Sequence, residues 1–403
     1  MDQYPSQGKR IIWIDQARGI ALLGILLANM LLFQYGMWGN LSVKTLETYD
    51  YWAYELIRIF VIDSFMPLFA FLFSYGIVLM KDRFDQKGLG AYRLVFVRRF
   101  LILIGLGLLH CFFVWDGDIL RIYGMIGIGL VFLFINRKPK TILIWAIILF
   151  VTHIFVIYGL RLAAPDQLVE SHRQTAQMMQ NGSYWENVSY RINGAALFHL
   201  DDSLPSWASL GLSILLLVVV IIPVFVLSPF LFGMYVAKKR WLHEPQHHIQ
   251  RIRKVFFVSL VLSIPLKALP IFWDTPFIFI LSDGVGPLAL TFCYISGIIL
   301  LMETRRGQQV LKPFGIVGKL SLTNYLFQSI IMTTIFYGYG LGLYGKLGVW
   351  VGIGLAVLFF LCQIVASFWW TKRFQMGPFE WLWRLGTYLK VPAIMKKSNL
   401  SKF

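Results

Sequence analysis

Residues 141–160 read Thr141-Ile142-Leu143-Ile144-Trp145-Ala146-Ile147-Ile148-Leu149-Phe150-Val151-Thr152-His153-Ile154-Phe155-Val156-Ile157-Tyr158-Gly159-Leu160, without one charged side chain. A helix rises about 1.5 Å per residue, so roughly 20 apolar residues cross the hydrocarbon core of a bilayer. Working outward, comparable blocks lie at about 17–36, 55–80, 97–115, 118–135, 207–236, 255–273, 278–302, 315–338 and 348–371. The expected architecture is an all-α, polytopic membrane bundle of about ten transmembrane helices. Pro223 and Pro229 predict a kink in the long sixth block.

Composition agrees: 58% of the 403 residues are hydrophobic and 14% are charged, about half the charged share of a soluble domain. Outside the apolar blocks no stretch is long enough for a confident core of its own, so residues 1–403 read as one integral membrane domain. The largest loop, about 161–206, has a polar, helix-compatible centre from Gln167 to Ser189. Within it Asn187-Val188-Ser189 fits an N-glycosylation pattern, which is short and recurs by chance. A segment at about 377–392 alternates Trp381, Leu382, Trp383 and Leu385 with Arg384 and Lys390, as an interfacial helix would.

The formal charge of +17 would suggest nucleic acid in a soluble protein. Here most of the 37 Lys and Arg residues fall in alternate inter-block segments. The positive-inside bias then puts both termini in the cytoplasm, and no nucleic-acid partner is expected. Cys111, Cys293 and Cys362 lie inside apolar blocks and read as packing residues. His243, His247 and His248 lack the cysteines or acids of a metal site, so no metal is expected. The N-terminus shows no small-residue cleavage site after its first apolar run, so no cleavable signal peptide is expected.

Polar residues inside the blocks are the candidates for function, because each is costly there unless it is used or partnered. Asp15 and Arg18 are three apart and share a helix face. They read either as a structural pair or as an anion site built on the guanidinium fork. Asn29, deeper on the same helix, reads as interhelical glue or as part of a site. His110 sits in the third block ahead of Trp115-Asp116-Gly117-Asp118. A neutral histidine takes protons near pH 7, and Asp118 or Asp116 would orient it. The bland alternative is a histidine bonded to a neighbouring helix. Asp63 precedes Ser64-Phe65-Met66-Pro67. Asp283 lies in Ser282-Asp283-Gly284-Val285-Gly286-Pro287, which predicts an unwound or bent segment. His153 reads as packing. Asn324 and Gln328, on one helix, mark a used interior. No Walker loop, dinucleotide fingerprint or serine-hydrolase elbow is present.

Several of these strings carry a resemblance. Asp15-Gln16-Ala17-Arg18-Gly19-Ile20-Ala21-Leu22-Leu23-Gly24-Ile25 resembles the opening of the bacterial YeiB-like membrane proteins. So do Gly117-Asp118-Ile119-Leu120, Leu322-Thr323-Asn324-Tyr325-Leu326 with Gln328-Ser329, the Phe336–Gly345 run, and Gly377-Pro378 with Glu380-Trp381-Leu382-Trp383-Arg384. The match spans essentially the whole chain. That family in turn resembles a superfamily of transmembrane acyltransferases that includes heparan-glucosaminide acetyltransferase. Several members carry Arg, ten residues, then His on the first helix. Here the spacing ends on Asn29, as in the heparan enzyme, and no histidine intervenes before His110. Asp63 resembles that enzyme's second-helix acid.

The resemblance implies transfer of an acetyl-like group from a cytoplasmic thioester to an acceptor at or across the membrane. Acyl-coenzyme A would be the donor. Asp15, Arg18, Arg98, Arg99, Asn324 and Gln328 would hold it, and His110, Asp118, Asn29 and Asp63 would carry the chemistry. The acceptor would be a small molecule or an envelope glycan or lipid, in the bacterial cytoplasmic membrane among its lipids. A homodimer is an arrangement such a bundle allows. The alternative is a transporter, or a lipid- or quinone-binding protein without catalysis.

Overall fold

The computed structural model describes residues 11–36, 48–162, 168–192, 222–273 and 275–395. The helices are α1 Ile12–Tyr35, α2 Thr48–Phe60, α3 Phe65–Gln86, α4 Tyr92–Phe113 and α5 Leu120–Gly129. There follow α6 Pro139–Leu162, α7 Leu168–Asn181, α8 Tyr184–Tyr190, α9 Ile222–Lys238 and α10 Ile249–Ala268. The last are the single turn α11 Pro276–Phe279, α12 Gly286–Met302, α13 Arg305–Lys319, α14 Ser321–Phe336, α15 Val349–Arg373 and α16 Pro378–Tyr388.

Seven described helical stretches are long and apolar enough to cross a membrane. Leu120–Phe134 and Val224–Lys238 are shorter apolar helices. They match the fourth expected block and the described part of the sixth, whose first residues lie outside the described ones. Helix α9 carries Pro229 internally. Large apolar side chains such as Leu101, Phe155, Val261 and Leu358 are exposed, as lipid-facing residues are in a bilayer.

Three blocks depart from a single straight helix. The second breaks at residues 61–64 between α2 and α3, where Asp63 takes the left-handed backbone at φ 59°. The eighth passes from α11 through a π-helical stretch, Ile280–Val285, into α12. The bend expected around Asp283 is therefore a widened helix. The ninth is two helices, α13 and α14, hinged at Leu320 (φ −110°, ψ 35°). A hinge in a hydrocarbon environment exposes amides that need partners, and those partners come from far along the chain, as described below.

Helices α10 and α12, α1 and α13, α3 and α9, α6 and α9, and α4 and α5 form the closest pairs. In lipid such pairs depend on close backbone approach. At the α1–α13 contact a Cβ on Gly318 would fall 1.8 Å from the Asp15 carbonyl oxygen, and one on Gly19 1.9 Å from that of Phe314. In the polar loop, α8 begins with a capping box between Ser183 and Glu186. Asn187 is buried, and its Nδ2 donates to the carbonyls of Gly182 and Ser183 at 3.2 and 3.0 Å. The nitrogen a glycan would need is thus engaged inside the loop.

Candidate functional site

His110 occupies the last turn of α4, where the chain leaves the helix through Val114 and Trp115, whose amides both donate to the His110 carbonyl at 2.9 Å. Trp115 is buried against Phe33 of α1, ring centroids 4.4 Å apart. That anchor folds the following turn back over α4 and returns Asp118 to His110. The His110 Nδ1 lies 2.8 Å from Asp118 Oδ2, and both side chains are buried. The second carboxylate oxygen, Oδ1, accepts the Arg121 amide at 3.0 Å and so caps α5. Gly107 makes room: a Cβ there would lie 2.7 Å from that same Oδ1.

The chemistry of this pair follows from its geometry. A carboxylate at Nδ1 favours the tautomer with its proton on that nitrogen. Nε2 is then a bare acceptor. It is buried, and no described residue bonds it. The Tyr325 ring of α14 lies over the imidazole at 5.4 Å between centroids. The Tyr325 hydroxyl accepts the Ile119 amide at 3.4 Å, which fixes the ring beside the α5 cap.

Tyr325 also lines a cavity of about 130 Å³. Ile119, Tyr123, Phe69, Phe73 and Phe100 line it too, as do Arg18, Arg99 and Trp383. The Arg99 guanidinium stacks 3.6 Å above the Trp383 ring, while the Trp383 indole donates to the Arg99 carbonyl at 2.7 Å. Helix α16 is thereby fastened to α4, and Arg99 is held flat beside the cavity. Arg18 is ion-paired with buried Asp15 at 3.9 Å. Two cations and Tyr325 therefore line one apolar slot, and the Tyr325 ring also meets the histidine of the histidine–aspartate pair.

The remaining candidates lie apart from that slot. Arg98 and Asn29 are half-buried and do not line it. Asn324 and Gln328 face α15 instead. Asn324 Nδ2 donates to the Ser367 hydroxyl at 3.1 Å and the Val317 carbonyl at 3.2 Å. Gln328 donates to Gln363 at 2.9 Å, and Gln363 donates to the Asn324 carbonyl, also at 2.9 Å. Asp63 lines a second cavity of about 320 Å³, with Asp283, His153 and Tyr123.

Four residues matter here that motif reasoning did not single out: Tyr325, Trp383, Tyr123 and Glu380. Tyr325, Trp383 and Glu380 stand in strings the sequence marks as unusual, but nothing local to them tells their roles. Glu380 of α16 is buried and accepts the Leu322 and Thr323 amides at 2.7 and 3.0 Å, and the Thr323 hydroxyl as well. It caps α14 where that helix starts at the Leu320 hinge, and so helps to hold Tyr325 in place. Burial pushes the Glu380 carboxyl up, and the bonds from Thr323 and Leu322 pull it back.

A family described as "Protein of unknown function (DUF418)" matches residues 236–390. The chain is 34% identical to the uncharacterised YxaH of Bacillus subtilis, over 97% of this chain and 98% of that protein. It is 26% identical to the uncharacterised YeiB of Escherichia coli, over 97% of this chain and 100% of that protein. A 39.9 kDa uncharacterised protein of Bacillus acidopullulyticus is 25% identical over 96% of this chain and 97% of its own length. No solved structure matches the chain.

Proposed function

We propose that this chain, which belongs to the YeiB-like family of membrane proteins described as DUF418, is a membrane acyltransferase. The observation that supports this reading is one apolar slot lined by Arg18, Arg99 and Tyr325, with the Asp118–His110 pair against the Tyr325 ring. By the charge bias, the arginines lie toward the cytoplasm. There Arg18 and Arg99 would meet the phosphates of a thioester donor such as acyl-coenzyme A. The acyl-bearing arm would enter between the phenylalanines toward Tyr325.

With the Tyr325 ring turned aside, Nε2 of His110 takes the proton of an acceptor hydroxyl or amine as its oxygen or nitrogen bonds to the thioester carbonyl carbon. The carbon–sulfur bond then breaks, and the thiolate leaves with the proton from the imidazolium. Asp118 stabilises that imidazolium and keeps the ring in the productive tautomer.

The test is transfer of a labelled acyl group from a thioester to an envelope extract by membranes containing the protein. His110→Ala is expected to lower turnover by about 10²–10⁴-fold with yield preserved. His110→Gln should not restore it, since an amide accepts no proton at neutral pH. Full turnover in His110→Ala would overturn the reading. A second reading, solute transport, is favoured by one observation: Tyr123 lines both cavities.

A further inference from the structure

The larger cavity is not used by the acyl-transfer reading, and its charges do not balance. It lies beside the first turns of α3 and α12, away from the basic segments at 238–254, and is lined by Asp63 and Asp283. Among the described residues neither carboxylate has a hydrogen-bond or ion-pair partner. Lys267 is buried nearby and feels both charges, but its ammonium donates to the Ile62 carbonyl at 2.8 Å. The neighbouring Glu55 and Arg58 neutralise each other, at 2.6 Å between Oε2 and Nη2. Three carboxylates therefore face two cations, and the unmatched negative charge sits on the cavity wall. Tyr123 and His153 also line the cavity: the Tyr123 hydroxyl donates to the Met66 carbonyl at 2.9 Å, and the His153 Nδ1 is unpartnered among the described residues.

Asp63 is exposed and Asp283 half-buried, and carboxylates without a partner at membrane depth attract a cation. The rest of the wall says which kind. Phe150, Phe225 and Tyr123 supply aromatic surface, and Met66 and Leu288 supply aliphatic surface. Aromatic walls with carboxylates suit an organic ammonium, held by charge and by cation–π contact. A metal ion would need more ligands, and the described residues contain no cluster of three or more His, Cys, Asp or Glu side chains able to hold one. We propose that this cavity is a second binding site, sharing Tyr123 with the first, that takes an ammonium group carried on an apolar body. The ammonium belongs to a free amine or to the headgroup of an aminophospholipid. This site stands independently of the acyl-transfer reading.

The test is calorimetric titration of the purified full-length protein, in phosphatidylglycerol nanodiscs, with phenethylammonium. Its uncharged analogue 2-phenylethanol is the control. The ammonium is expected to bind and the alcohol to bind at least about tenfold more weakly. Asp63→Asn should weaken the ammonium by a similar factor and leave the alcohol unchanged. Asparagine tolerates the left-handed backbone at that position, so the turn is preserved. Asp283→Asn is the second variant and should act in the same direction. Equal binding of amine and alcohol, or unchanged amine affinity in both variants, would overturn the proposal. Competition when phosphatidylethanolamine is added to the nanodiscs assigns the headgroup as the source. Undiminished binding assigns a free amine.

Discussion

Two polar regions of the bundle interior end in opposite states. Between α14 and α15, the Asn324, Gln328, Gln363 and Ser367 side chains bond one another or nearby carbonyls. At the α4–α5 turn, His110 is bonded through one nitrogen, and the other is buried without a partner among the described residues. The first arrangement is what hydrocarbon demands of any amide, and it joins helices. The second leaves a proton acceptor unmet among the described residues, next to a tyrosine that lines a slot. Polarity inside a membrane protein therefore says little until satisfaction is known. The unsatisfied atom, and not the polar residue, marks the candidate site.

The largest effect that would break this contrast is expected at Asp118. Asp118→Asn retains an oxygen for the Arg121 amide but loses the charge that orients His110. Acyl turnover should fall by about 10³-fold with little change in thermal unfolding. Equal loss of stability and activity would place the pair with the joining region. Next comes Glu380→Ala, which leaves the buried Leu322 and Thr323 amides without an acceptor. It should cost about 2–3 kcal/mol of stability, measured by unfolding in detergent, and unchanged stability would remove the α14 cap.

Smaller again is the effect within the joining region. Gln363→Leu should destabilise by about 1 kcal/mol and leave turnover unchanged. Pairing it with Gln328→Leu should recover part of the loss, since both partners are then apolar. A selective loss of turnover would move this region into the site. The smallest stability effect is expected for Tyr325→Phe. It removes only a weak 3.4 Å contact and should change stability by less than about 0.5 kcal/mol, because the ring still covers His110.

Much of the fold was legible because the bilayer imposes one rule on every span: roughly 20 apolar residues with internally bonded backbone. The His110–Asp118 pairing was legible because the two are eight residues apart across one tight turn. The direction that Asn324 and Gln328 face was not, since the sequence marks them as polar without saying which neighbour meets them. The hinge at Leu320 was read as continuous helix because no glycine or proline occupies the break itself. Its cap, Glu380, comes from 58 positions further along the chain.

By itself, then, the sequence determined the helical class, the approximate spans and the nearness of His110 to an aspartate, Asp116 or Asp118. Each depends on composition or on neighbours within a few turns. Only the tertiary structure decided that Tyr325 meets His110 and lines a slot together with Arg18 and Arg99, and that Asp63 and Asp283 line one cavity. Those facts depend on which faces of distant helices meet. In lipid, that choice is made by close packing at glycines and by pairing of scattered polar groups, and neither has a signature within any one segment.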